Sequence, residues 1–367
     1  MKEETSGYEA RLRRIIASVE PVDTSFEPVA YARLDQLTKP VGSLGRLEEI
    51  ACRVATIQRT DHPAIDRKVV LVMCADHGVT AEDVSLFPAE VTAQMVVNVC
   101  AGGAAINQIA DSVGAEVRVY DIGVAGDLAP HPRLCDCKVA AGTANMAVGP
   151  AMSREECAQA VLCGIDASRK AAQEGFSLIA TGELGIGNTT AAAALTAALT
   201  RVAVSAVVGR GTGLNAEKVA HKAEVVRRAL EVNGATGSGA VGLGPDPFGT
   251  LSALGGLELA ALAGVVIGAA ATQTTVVVDG FISGAAALAA TMLCPAARGY
   301  IIPSHLSAEP GHRVVCTALK LEPIIEFEMR LGEGTGAALA MGIVDAACRM
   351  LSGMATLAEA GVSQAKE

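Results

Sequence analysis

The chain has 367 residues and a net charge of −10; it is 51% hydrophobic but only 3% aromatic, with 39 glycines and no tryptophan. The length suits one large α/β domain with a smaller appendage, or two ordinary domains. The acidic balance and the lack of a Lys/Arg-rich run exclude an extended nucleic-acid surface, although a small anion could still bind through local N–H groups and one or two cations.

Residues 1–55 show helical periodicity with many charges and include a turn-plus-helix stretch, "KPVGSLGRLEEIA". Short β-branched runs follow, each ending in polar or glycine punctuation. "KVVLVMCADHG" ends in Asp76-His77-Gly78, "VRVYDIG" in Asp121-Ile122-Gly123 and "SLIATGELGIGN" in Thr181-Gly182-Glu183. "TTVVVDGF" ends in Asp279-Gly280, and "GYIIPSH" in Pro303-Ser304-His305. Ala-rich stretches of helical period separate these runs. The alternation predicts a mostly parallel sheet with helices on both faces, and ligands outside the carboxyl ends of the strands. Ala, Val, Leu and Ile must fill its core, packed closely with the help of glycine.

The most apolar run, Leu259 to Ala271, is too short to span a membrane and is followed by Thr, Gln and Asp279. A buried helix feeding a buried strand is expected there, and no membrane span. From about residue 338 a final helix is expected to pack with the N-terminal helices. The division is then a small helical subdomain of 1–55 with 338–367, and a large α/β domain of 56–337. The tail "VSQAKE" is read as frayed. Ten cysteines are scattered without a secretory signal, mostly in apolar contexts, as expected in a reducing cytoplasm. Cys135 and Cys137 in "LCDCK" lack a matching Cys/His pair, so no metal site is expected.

Five stretches carry candidate chemistry. In "ATGELGIGNTTAAAAL" a β-run passes through Gly182, Gly185 and Gly187 into a helix starting at Asn188, Thr189 and Thr190. Such a turn admits an anion to free N–H groups at the positive end of a helix, or is simply a tight capped turn. Glu183 would suit sugar hydroxyls better than a phosphate. A second glycine turn, "VGRGTGLN", precedes a helix with Lys222, either a further phosphate contact or a solvated charge. Asp76 and His77 at a strand end fit acid/base work or a braced turn. Phe87 in "SLFP", with Met95, could wall a flat apolar ligand. The histidines of "PSHLSAEPGHR" have the wrong spacing for a helix-borne metal pair and read as polar loop residues.

"LEPIIEFEMRLGEGTGAALA" holds four glutamates. Glu322, Glu326 and Glu328 read as surface or strand-edge charges. Glu333 lies between Gly332 and Gly334, just ahead of a helix capped by Thr335 or Gly334. That helix start would keep it ionised, and an apolar wall would raise its pKa. It is either a proton acceptor or a favourable helix-start charge.

Ten ordered blocks, including "LDQLTKPVGSLGRLE", "VTAQMVVNVCAGGAAIN", "GELGIGNTT", "DGFISGAAAL" and "RLGEGTGAALA", closely resemble the nicotinate-nucleotide–dimethylbenzimidazole phosphoribosyltransferase family from about residue 30 to 350. The resemblance implies a cytoplasmic homodimer with a Rossmann-like large domain and a helical domain from both termini. It implies ribose-5-phosphate transfer from nicotinate mononucleotide to 5,6-dimethylbenzimidazole, with inversion and without metal or cofactor. Glu333 matches the family's catalytic glutamate. Glu183, Gly185, Ile186, Gly187, Asn188, Thr189 and Thr190 match its ribotide and phosphate loop, and Lys222 its phosphate-contacting lysine. Phe87, Met95 and Leu331 match the base pocket. Some relatives carry a small hydroxyl residue at the position of Phe87, which opens the choice of aromatic base.

Overall fold

A computed structural model describes residues 7–211, 213–235 and 246–363; Thr212 of the second glycine turn and the last four residues of the tail lie outside them. Helices α1 (Gly7–Ala17), α2 (Glu27–Leu34) and α3 (Arg46–Gln58) precede β1 (Lys68–Ala75). Helices α4 (Val91–Ala101) and α5 (Ala105–Ser112) lead to β2 (Ala115–Gly123) and β3 (Leu134–Asp136). Next come α6 (Arg154–Gln173), β4 (Leu178–Leu184), α7 (Asn188–Thr200), α8 (Ala216–Val232), α9 (Pro247–Leu254) and α10 (Leu257–Ala271). The described chain ends with β5 (Thr275–Val278), α11 (Phe281–Leu293), β6 (Ile301–Pro303), α12 (Pro310–Leu319) and α13 (Thr335–Gly353).

The sheet order is β3-β2-β1-β4-β5-β6 and every pairing is parallel, the Rossmann-like arrangement expected. The order reverses between β1 and β4, which opens a crevice outside the carboxyl ends. Strand β1 is buried along its length because helices cover both faces. Its alternate side chains divide between two cores. Val69, Leu71 and Met73 pack with α6, α10 and α11, whereas Val70, Val72 and Cys74 pack with α3, α4 and α13.

Of the segments expected to form a helical subdomain, α2, α3 and α13 lie together on one face. Arg33 of α2 donates to the Leu351 carbonyl of α13, and Leu37 bridges to Thr356. Helix α1 lies on the opposite face against α6, where Arg11 pairs with Asp166. The apolar run at 259–271 is a buried core helix, as expected. Among the described residues one helix, α13, is long and apolar enough to cross a membrane; half of it is buried inside the fold. Lys68 of β1 pairs with Asp345 on its flank at 2.9 Å.

Candidate active site

The carboxyl ends of β4, β5 and β6 open into a cavity of roughly 690 Å³. Its floor is the glycine loop between β4 and α7. Gly187 takes φ +97°, a left-handed value that suits glycine and turns the chain into α7. The Ile186 N–H is held by Thr92 Oγ1, and the Asn188 and Thr190 amides bond to the carbonyls of Gly185 and Gly187. Gly185, Gly187 and Thr189 are then the loop residues whose amides have no partner among the described residues, at the start of a helix that attracts anions. Thr190 does not line the cavity; its hydroxyl is buried in the packing of α7.

Lys222 is not a solvated charge. Helix α8 buries it, and its Nζ donates to Thr189 Oγ1 at 2.8 Å, behind the loop. Burial pushes its pKa down to about 8, against the opposing pull of Glu309. Glu309 Oε1 accepts the Gly211 N–H at 2.8 Å, and the Gly211 carbonyl accepts from Arg330 at 3.0 Å. The second glycine turn is thereby tied to the wall of the cavity.

Two carboxylates face the other end. Glu183 accepts from the Asn188 side-chain amide and lies against Gly332. Burial, with the charges of Asp279 and Glu258, raises its pKa to about 8. Glu333 is 4% exposed and its Oε2 has no hydrogen-bond partner among the described residues. The turn that carries it is unusual: Gly332, Glu333 and Gly334 have φ of +87°, +61° and +88°. A non-glycine residue there is uncommon and costs on the order of 1–3 kcal/mol.

Gly334 is the N-cap residue of α13, one of the two expected, but neither it nor Thr335 supplies a side-chain cap; the Thr335 hydroxyl donates to the Gly332 carbonyl. Asp279 takes the helix start instead, accepting the Gly334 N–H at 3.2 Å and the Ala337 N–H at 2.9 Å. Burial therefore governs Glu333 and raises its pKa, opposed by the Ile106 backbone N–H of α5 and reinforced by Asp279. Glu322, Glu326 and Glu328 are exposed, as read, but Glu328 also reaches the cavity rim.

Phe87, Met95 and Leu331 all line the cavity; Phe87 and Leu331 are half-exposed at its mouth. Asp76 and His77 do not line it. Asp76 braces the Ala125 N–H, and His77 forms a buried pair with Glu258 at 2.6 Å beneath the glycine loop. The histidines expected as polar loop residues are buried. His305 lines the cavity, with Nδ1 3.1 Å from Ser304 Oγ and 3.6 Å from Asp279 Oδ1. His312 accepts the Ser307 N–H at 2.9 Å, and burial, helped by His305, pushes its pKa down to about 3. The three-residue β6 turns this polar segment inward. A run that short, followed by Ser, His, Glu and Pro, carries no periodic signal to reveal it. Position alone signalled Asp279 and His305, as polar residues ending the fourth and fifth β-runs.

A doubly wound parallel sheet with an anion-attracting glycine loop, a buried lysine and buried carboxylates at its carboxyl ends defines an α/β enzyme that handles a phosphorylated sugar. A phosphoribosyltransferase family model matches residues 19–362. The nicotinate-nucleotide–dimethylbenzimidazole phosphoribosyltransferase of Chloroflexus aggregans is 50% identical over 359 residues, covering 97% of this chain and 99% of the relative. That of Chlorobium chlorochromatii is 49% identical over 354 residues, 96% of this chain and 98% of the relative. A crystal structure of the enzyme from Thermus thermophilus superposes with TM-score 0.87 at 47% identity, covering 94% of this chain and all of that one. The chain belongs to this phosphoribosyltransferase family.

Proposed function

We propose that the chain transfers ribose 5-phosphate from nicotinate mononucleotide to a ring nitrogen of 5,6-dimethylbenzimidazole. The products are α-ribazole 5′-phosphate and nicotinate, in cobalamin biosynthesis. The observation that carries this reading is one cavity joining an anion cradle to a buried carboxylate with an unpartnered oxygen, Glu333 Oε2.

The ring–ribose bond of the nucleotide breaks with its electron pair passing into the cationic pyridinium, so the leaving nicotinate needs no acid. The azole nitrogen attacks the opposite face of the anomeric carbon and becomes positive, which acidifies its other N–H. Glu333 takes that proton; its raised pKa makes it a stronger base than an exposed glutamate, and its charge stabilises the forming cation. The loop amides and Lys222 hold the phosphate, so binding energy from a non-reacting group aligns the reacting atoms. Glu183, protonated near neutrality, donates to a ribose oxygen. Phe87, Met95 and Leu331 wall the base. Small molecules are then the only substrates of a cytoplasmic homodimer without a membrane span; a sedimenting species of one-chain mass would refute the dimer.

Incubation with nicotinate mononucleotide and dimethylbenzimidazole should give α-ribazole phosphate by mass spectrometry. Glu333→Gln should slow it about 10²–10⁴-fold. Equal rates remove Glu333 as the base, and calorimetric nucleotide binding without product would mark a binding protein instead. Phe87 at the mouth favours a second reading, transfer to another benzimidazole, a purine or a phenol. Clear preference for dimethylbenzimidazole in a competition panel removes it.

A further inference from the structure

The Glu333 turn arrives from an exposed, irregular segment; residues 326–328, 330 and 331 are all exposed. That approach is anchored at Met329, whose carbonyl accepts the Ala308 N–H, and at Arg330, which donates to the Gly211 carbonyl. These bonds stop short of the three successive left-handed residues, and such strain persists only where the surroundings over-determine it. The surroundings here are strand ends. Asp279, at the end of β5, is 2% exposed and spends both carboxylate oxygens on the turn and on the first turn of α13. Its own N–H donates to Thr181 Oγ1 of β4 at 3.0 Å. The neighbouring β4 residue, Gly182, is pressed so closely by the Glu333 carbonyl that an added Cβ would lie 2.6 Å from it. His305 closes the remaining side. A carboxylate is also the side chain that a helix start favours.

We propose that Asp279 is the positioning residue of the Glu333 turn, holding through these two N–H bonds the conformation from which Glu333 accepts the azole proton. This rests on the reaction proposed above. Asp279 lines the cavity, but each of its oxygens already accepts a backbone N–H of the turn or of α13, so its part is to hold the turn that carries Glu333. Labour in the cavity is thereby divided: the glycine loop and Lys222 fix the nucleotide, and the β5 end fixes the base.

Asp279→Ala and Asp279→Asn are compared with wild type and Glu333→Gln. Misplacing a reacting group by an ångström costs on the order of 10²-fold, so Asp279→Ala should lower kcat by about 10- to 100-fold while KM for nicotinate mononucleotide stays within about threefold. Asp279→Asn keeps one acceptor and should lose less. The groups facing Glu333 are the Asp279 and Glu183 carboxyls and the Ile106 N–H. Removing the Asp279 charge lowers the Glu333 pKa, so the acidic limb of kcat in Asp279→Asn moves to lower pH, and the loss of kcat is read on the plateau above that limb, where only the position of Glu333 is at stake. Hydrogen exchange reads the clamp without turnover: residues 330–341 should exchange faster in Asp279→Ala, with 183–195 unchanged. Wild-type kcat in both variants, or unchanged exchange at 330–341, overturns the proposal. If wild type itself forms no product, the reaction fails while exchange still decides the clamp. If Asp279→Ala does not fold, Asp279→Asn carries the same measurements.

Discussion

Lys222 illustrates how burial changes the chemistry of an ordinary residue. Its ammonium is enclosed with one side-chain acceptor, Thr189 Oγ1, and its pKa falls to about 8. The ordinary value is about 10.4 in an unfolded chain, so between these pH values the unfolded state binds more protons. The destabilisation is therefore fully present below about pH 8 and is relieved as pH rises through that window. A bound phosphate dianion favours the ammonium and opposes its loss. KM for nicotinate mononucleotide should accordingly climb above about pH 8 in wild type. Lys222→Met should raise KM at neutral pH by about tenfold to a hundredfold, the worth of a charge-assisted hydrogen bond, and flatten that climb. A variant with wild-type KM and slope would show that Lys222 never meets the phosphate.

Between elements, the largest contact is α6 against α10, and glycine makes it. Gly164 faces the Ala261 carbonyl and Gly264 the Val161 carbonyl, so the two backbones meet with no side chain between them. This is how a chain with so few aromatics packs a helix layer over β1 and β4. A Cβ at Gly264 would run into the Val161 carbonyl and lie 3.0 Å from the Ile165 nitrogen, and neither is a flexible side-chain end that can move aside. Overpacking of this kind costs about 1–3 kcal/mol, against which the helix propensity gained by alanine is about 1 kcal/mol or less. Gly264→Ala should therefore lower the denaturant midpoint, and separation of the two helices is what relieves the clash. An unchanged midpoint would mean that the helices slide apart freely and that their close approach contributes little.

Over the whole molecule, what could be read from the sequence was what has a period or punctuation. The β-runs ending in Asp76, Glu183 and Asp279 marked the sheet and the edge where the cavity lies, because buried parallel strands are continuous apolar runs. Glu333 and the glycine loop stood out through their glycines. Hidden were the relations between distant segments. That Asp279 caps α13 across 55 residues, that His77 meets Glu258 across 181, and that Glu309 steadies Gly211 are products of topology, with no local pattern. For the same reason the balance at Glu333 was hidden: Asp279 occupies its helix start, and burial, one of the two influences expected, raises its pKa. The cavity consequently has two separately built ends, α7 and α8 at one, the proposed phosphate end, and β5 and α13 at the other, the proposed base end. Ligand binding should report that separation. A ligand at about 100 times its Kd stabilises the fold by about 2.7 kcal/mol. Nicotinate mononucleotide should raise the Tm of Glu333→Gln at least as much as that of wild type, since that change leaves the phosphate end intact and removes a buried carboxylate facing Glu183. The shift in Lys222→Met should be smaller at the same concentration. If Glu333→Gln loses the shift and Lys222→Met keeps it, the nucleotide is anchored at the Glu333 end, and the assignment of the two ends is reversed.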